Sequence, residues 1–211
     1  MNDIYQNKKA LINTVISGND TVLDVGFWGQ GVSVRDDNWV HNILKVRAKD
    51  VYGLDLSFDD SMFPNKDHYI KASAENFKID KKFDVIFAGD LIEHLSNPGF
   101  FLDCAKAHLN EGGRLIMTTP NAFNLFNITE KLSKGEPTVN YDHTCYFNRK
   151  TLGQLLGKNG WSVDKVSYIY SLGLKHKESF KKKVLNGLYK FLSLFTDAYI
   201  ETLVITAVPK K

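Results

Sequence analysis

Short apolar runs alternate along the chain with one-sided stripes at helical spacing, and that order predicts an α/β architecture. Ile4, Tyr5, Leu11, Ile12, Val15 and Ile16 make residues 3–17 a one-sided helix, which Gly18 and Asn19 stop. Val22, Leu23 and Val25 form the first strand. Trp39, Ile43, Leu44 and Val46 mark a helix leading to a second strand, VYGLDLS at residues 51–57, after which Ser57 can cap a short turn. Further strands are expected at 68–72, 83–88 and 114–119. A helix with Phe101, Leu102, Ala105 and Leu109 on one face precedes the last of these, and Gly112 and Gly113 separate the two. Asn148 opens a helix carrying Leu152, Leu155 and Leu156, and Asn159 and Gly160 close it before strands at 161–170 and 200–208. The pattern therefore predicts seven strands with helices between them, in one domain over residues 1–211.

Two passages do not fit this alternation. Residues 122–147 are too irregular and aromatic for a plain connector, and loops of such length in a compact domain are usually functional. Residues 175–198 form an insert with Phe180, Val184, Leu188, Phe191, Leu192 and Phe195 at helical spacing beside Lys181, Lys182, Lys183 and Lys190. A helix this apolar needs a surface to cover. The candidates are the sheet itself, the acceptor side of a site, a second subunit, or an anionic membrane surface reached peripherally.

The chemistry begins at TVLDVGFWGQG, residues 21–31, where the first strand ends in an acid and breaks into glycines. Gly26, Gly29 and Gly31 leave room for a ligand to lie on bare backbone. Asp55, at the end of the second strand, can accept hydrogen bonds from two ribose hydroxyls, because a carboxylate offers two oxygens. Taken alone, these features also suit a nicotinamide dinucleotide.

Composition narrows the classes. A hydrophobic content of 43% and a charged content of 24% are globular values, and the formal charge of +3 leaves no broad basic footprint for nucleic acid. Cys104 and Cys145 lack a metal-ligand spacing and are read as free thiols. The first residues have no uninterrupted apolar core, and no run approaches the length of a membrane span, so a cytoplasmic location is expected.

KASAENF (71–77), FDVIFAGDLIEHLSNP (83–98) and LNEGGRLIMTTPN (109–121), placed after the glycine turn and Asp55, closely resemble the motif series of class I S-adenosylmethionine-dependent methyltransferases. The resemblance covers the chain from about residue 20 to its end. Glu93-His94-Leu95, Thr119-Pro120-Asn121 and the pair His143 and Phe147 are similar to the small-molecule O- and N-methyltransferases of ubiquinone biosynthesis and of glycan or antibiotic tailoring. It implies a Rossmann-like, seven-stranded, mostly parallel sheet with helices on both faces and an antiparallel last strand. S-adenosyl-L-methionine is the implied cofactor, and a small molecule the implied methyl acceptor.

Carried over residue by residue, the resemblance places Asp24, Gly26, Phe27, Gly29 and Gly31 at the methionine end of the cofactor, and Asp55 and Leu56 at the ribose. Ser73, Ala74 and Glu75 fall at the adenine, and Gly89 and Asp90 on the crevice wall. Two departures stand out: Phe27 and Trp28 interrupt the usual glycine spacing, and Ser73 replaces an aspartate. Trp28 either packs under the N-terminal helix or walls the pocket. The proline-proline-aromatic signature of base-amino DNA methyltransferases is absent, since Gly89-Asp90-Leu91-Ile92 stands in its place.

For proton removal, His143 in the aromatic passage is the candidate catalytic residue, and no metal ligand is assigned. The competing constellation is Asp90, Glu93 and His94 at i, i+3 and i+4. A helix would bring these together, and related ubiquinone-pathway enzymes are thought to use this block to hold a divalent metal. A cofactor-binding protein without catalysis and a nicotinamide-dependent oxidoreductase remain the alternatives.

Overall fold

The computed structural model describes residues 2–29, 33, 36–63, 65–170, 187, 191 and 196–211. Its sheet has eight strands: β1 (Asp3–Tyr5), β2 (Thr21–Val25), β3 (Asp50–Asp55), β4 (Tyr69–Lys71), β5 (Phe83–Gly89), β6 (Leu109–Pro120), β7 (Trp161–Ile169) and β8 (Thr202–Pro209). They lie in the order β1-β7-β8-β6-β5-β2-β3-β4, and β8 runs antiparallel to both β6 and β7. The extra strand is β1, which pairs parallel with β7 where the sequence suggested that the first helix had already begun. The helix itself, α1 (Lys8–Val15), starts only after Asn7, whose side chain accepts from the Ala10 N–H at 2.8 Å. Three residues are enough to add an edge strand, and apolar spacing alone does not distinguish that from a frayed first turn.

The interior strands are apolar on both faces because each face is covered. Val22, Val85, Phe87 and Ile116 pack with Leu11 and Ile12 of α1 and with Ile43 and Leu44 of α2 (Val40–Arg47). Leu23, Ile86, Ala88, Leu115 and Met117 point the other way. They meet Phe101, Leu102 and Ala105 of α3 (Pro98–Ala107), and Leu152 and Leu156 of α5 (Arg149–Lys158). The expected passage after β6 contains one regular element, α4 (Leu125–Lys134), capped by the Asn124 side chain. The proposed insert helix at 175–198 lies almost wholly outside the described residues. β2 sits between β5 and β3, so the carboxyl ends of these strands open a crevice at the centre of the sheet.

Candidate functional site

Two adjoining cavities, of about 590 and 300 Å³, share Gly26, Asp55, Leu91 and His94 and form one trough over the ends of β2, β3 and β5. Lys8, Trp28, Gly29, Gly89, Asp90 and Asp142 line the larger one. Leu56, Ser73, Ala74 and Glu75 line the smaller. Most residues assigned from the sequence thus come together here, whereas Gly31 lies outside the described residues.

The glycine turn is shaped by Gly26, which has φ +76° and whose N–H donates to Leu54 O at 2.8 Å. Asp24 and Phe27 need correction as contact residues. Asp24 is 0% exposed and its carboxylate meets His41 Nδ1 at 3.0 Å, behind the turn. Phe27 is equally buried, among Trp39, Phe58 and Phe63, with its ring over Gly53 where a Cβ would sit 2.9 Å away. Both side chains face the α2 side, and it is Trp28 that both lines the trough and packs edge-on to Trp39 and Phe63.

Asp55 occupies the middle of the trough. Its Oδ2 accepts from Trp28 N–H and its Oδ1 from Ser57 N–H, both at 3.1 Å. Burial raises its pKa, and these N–H groups offset part of the rise. Each oxygen keeps a lone pair for a further donor. Ser73 Oγ accepts from Glu75 N–H at 3.2 Å, and Glu75 is anchored by the backbone and side chain of Asn97, which lower its pKa.

Asp90, Glu93 and His94 do not form the expected helical cluster. Asp90 adopts φ +50°, unusual for a side chain with a Cβ, and residues 92–94 make a short 3-10 turn. The Asp90 carboxylate is turned to Lys8 Nζ at 2.7 Å and Thr118 Oγ1 at 2.8 Å. Lys8 belongs to the wall, and sequence reading missed it because it stands far upstream on α1 with no motif around it.

Glu93 instead joins His94 and His143, and one ligand atom from each of the three lies within 4.8 Å of the others. The rings of His94 and His143 meet edge-to-face at 4.6 Å between centroids. Glu93 is 1% exposed; Thr119 Oγ1 donates to its Oε2 at 2.9 Å, and its Oε1 has no partner among the described residues. Burial first, then the charge of Asp90, pushes the Glu93 pKa up to about 7. Burial, with His94 beside it, lowers that of His143. Glu201, before β8, is a further buried acid pushed to about 7, by burial and then by Asp90. The strap that carries His143 is tied down by Thr144, whose N–H donates to Glu93 O at 2.8 Å and whose hydroxyl donates to Leu95 O at 2.8 Å.

Residues 17–166 match a family model described as a methyltransferase domain. Over 90 residues the chain is 28% identical to the mitochondrial ubiquinone biosynthesis O-methyltransferase of Rattus norvegicus, a match that covers 40% of this chain and 26% of that enzyme. Among solved structures, an S-adenosylmethionine-dependent methyltransferase of Archaeoglobus fulgidus is similar, with a TM-score of 0.59 and 17% identity over 94% of this chain and 91% of that one. The 1,6-didemethyltoxoflavin-N1-methyltransferase of Burkholderia thailandensis, solved with 1,6-didemethyltoxoflavin and S-adenosylhomocysteine, has a TM-score of 0.57 and 17% identity over 97% of this chain and 77% of its own. At these identities the structural likenesses speak for the fold.

Proposed function

Because the chain belongs to the methyltransferase-domain family over residues 17–166, we propose that it transfers the methyl group of S-adenosylmethionine to an oxygen or nitrogen of a small-molecule, sugar or lipid-linked acceptor. The observation that carries this reading is the trough itself. It runs from Lys8 and the glycine turn, past Asp55, to Ser73 and Glu75, and so offers a cation, a ribose acceptor and a polar far end in the order that the cofactor's carboxylate, ribose and adenine require. The sulfonium methyl is already activated, so the chain has to hold the acceptor in line and exclude water.

The acceptor's proton is assigned to His143. Its lowered pKa keeps the imidazole neutral at neutral pH, and His94, which lines both cavities, lies against it. The acid limb of the kcat/KM profile then falls below the ordinary histidine value of about 6.5. His143→Ala is expected to slow methyl transfer about a hundredfold or more while cofactor affinity stays nearly unchanged.

One observation favours a second reading of the same corner. The Oε1 of Glu93, without a partner among the described residues, together with two imidazoles is a donor set that suits a divalent ion such as zinc or iron. Such an ion would be held by Glu93, His94 and His143, and when bound it would supply Lewis acidity. Loss of activity on chelation, restored by one metal at one equivalent, would decide for the ion over the free base.

Calorimetric titration with S-adenosylhomocysteine tests the cofactor half. Asp55→Ala removes a charged acceptor from two hydroxyls and should cost about 1.5–3 kcal/mol of binding. Equal affinity in parent and variant would remove Asp55 from the site. A cytoplasmic location belongs to this reading too; among the described residues no helix is long and apolar enough to cross a membrane.

A further inference from the structure

We propose that His41, which does not line the trough, is a positioning residue for cofactor binding: it holds Asp24 inside the fold and thereby fixes the turn at Gly26–Gly29 against the cofactor. This rests on the cofactor reading above. Asp24 and His41 are both fully buried, and His41 Nδ1 lies 3.0 Å from Asp24 Oδ2. With Nδ1 donating to the Asp24 carboxyl oxygen, Nε2 is left to accept from the Tyr69 hydroxyl at 3.2 Å. The resulting chain, Asp24 to His41 to Tyr69, joins β2, α2 and β4 directly behind the crevice.

The turn is gripped from the same side. The His41 ring stands 5.0 Å from that of Phe27 and 5.1 Å from that of Trp39, and Trp39 Nε1 donates to Phe27 O at 2.9 Å. On the opposite side, the same short stretch presents Gly26, Trp28 and Gly29 to the trough, and Trp28 N–H donates to Asp55 Oδ2. The position of the ribose acid is therefore coupled through Trp28 to a turn whose rear is set by His41.

Packing alone does not call for this arrangement. A buried ionic or polar pair is often no more stabilising than an apolar pair of the same shape, whereas two directed hydrogen bonds define where the ring and its carboxylate sit. Asp24 Oδ1 has no hydrogen-bond partner among the described residues, so His41 supplies the carboxylate's hydrogen bond in this structure. Without His41 the Asp24 carboxyl group must find a new partner, and the backbone that follows it in the chain is the turn itself. A Leu at 41 would fill the space and leave that carboxylate unpaired. A Gln could still donate to Asp24 and accept from Tyr69.

The test is S-adenosylhomocysteine affinity, measured by calorimetry well below each variant's unfolding transition. His41→Leu is expected to bind at least about tenfold more weakly, and His41→Gln within about threefold of the parent. The double variant H41L/D24N, which replaces the unpaired carboxyl group with an amide, should regain part of the loss. Ile43→Ala, in the core of the same helix, lowers Tm without this effect on affinity. An unchanged affinity in His41→Leu, or an equal loss in Ile43→Ala at equal Tm, would overturn the proposal and leave the cofactor reading standing. Absence of binding in the parent would overturn both. Should His41→Leu not fold, Tyr69→Phe decides: about threefold weaker binding is expected, and parental affinity would sink the idea.

Discussion

Glu93 shows how a single residue can be conspicuous in sequence and still misread. The Glu-His-Leu string identifies it as a family marker, yet nothing in the string says that the residue is 1% exposed or that one of its oxygens lacks a partner among the described residues. Its pKa is raised from the ordinary value of 4.5 to about 7, so between those values the folded state holds a proton that the unfolded state has released. Stability from this group is therefore fully present below about pH 4.5 and is lost as pH rises through about 7. Glu93→Gln removes that loss. In chelator-treated protein the variant should match the parent near pH 5 and exceed it by about 2–3 kcal/mol at pH 8, at the expense of activity. Chemical denaturation at the two pH values measures this, and a variant that is no more stable at pH 8 would mean that Glu93 is charged at little penalty in the native protein.

At the scale of elements, the strap over residues 140–147 and the 3-10 turn at 92–94 act as one piece. Helical spacing of Asp90, Glu93 and His94 suggested a shared helix face, but the positive φ of Asp90 breaks the chain direction there, and Lys8 and Thr118 take its carboxylate. His143 takes the vacated place beside Glu93 and His94 because Thr144 sews the strap to the carbonyls of Glu93 and Leu95. That closure joins residues far apart in the chain, which is why apolar periodicity could flag the passage only as an irregular loop of functional length. Thr144→Val keeps the volume and removes the hydroxyl donor, leaving Leu95 O without it. The variant should retain cofactor affinity while kcat falls about tenfold as His143 loses its register. Loss of cofactor affinity, with kcat preserved, would instead make the strap part of the cofactor wall.

Over the whole molecule, the sheet was readable to the extent that strands are apolar runs bounded by turn residues. β2, β3, β4, β5, β6, β7 and β8 follow from that rule, and so does the placing of Gly26, Asp55 and Ser73 at the ends of neighbouring strands. β1 was hidden because three residues before a helix carry no period, and Lys8 because its partner lies across the sheet at Asp90. Ligand binding at this central crevice should be felt by the entire fold, since the trough joins α1, β2, β3 and β5 to the strap. A ligand that binds the native state alone adds RT ln(1 + [L]/Kd), about 2.7 kcal/mol at a hundredfold excess over Kd. For a chain of this size each kcal/mol moves Tm by about 2–4 °C, so S-adenosylhomocysteine at that excess should raise it by about 5–10 °C. NAD supplied at the same concentration should leave Tm unchanged, as expected of a chain that belongs to a methyltransferase-domain family. A shift with NAD and none with S-adenosylhomocysteine would return the glycine turn and Asp55 to a dinucleotide reading, in which His143 and the strap have no part.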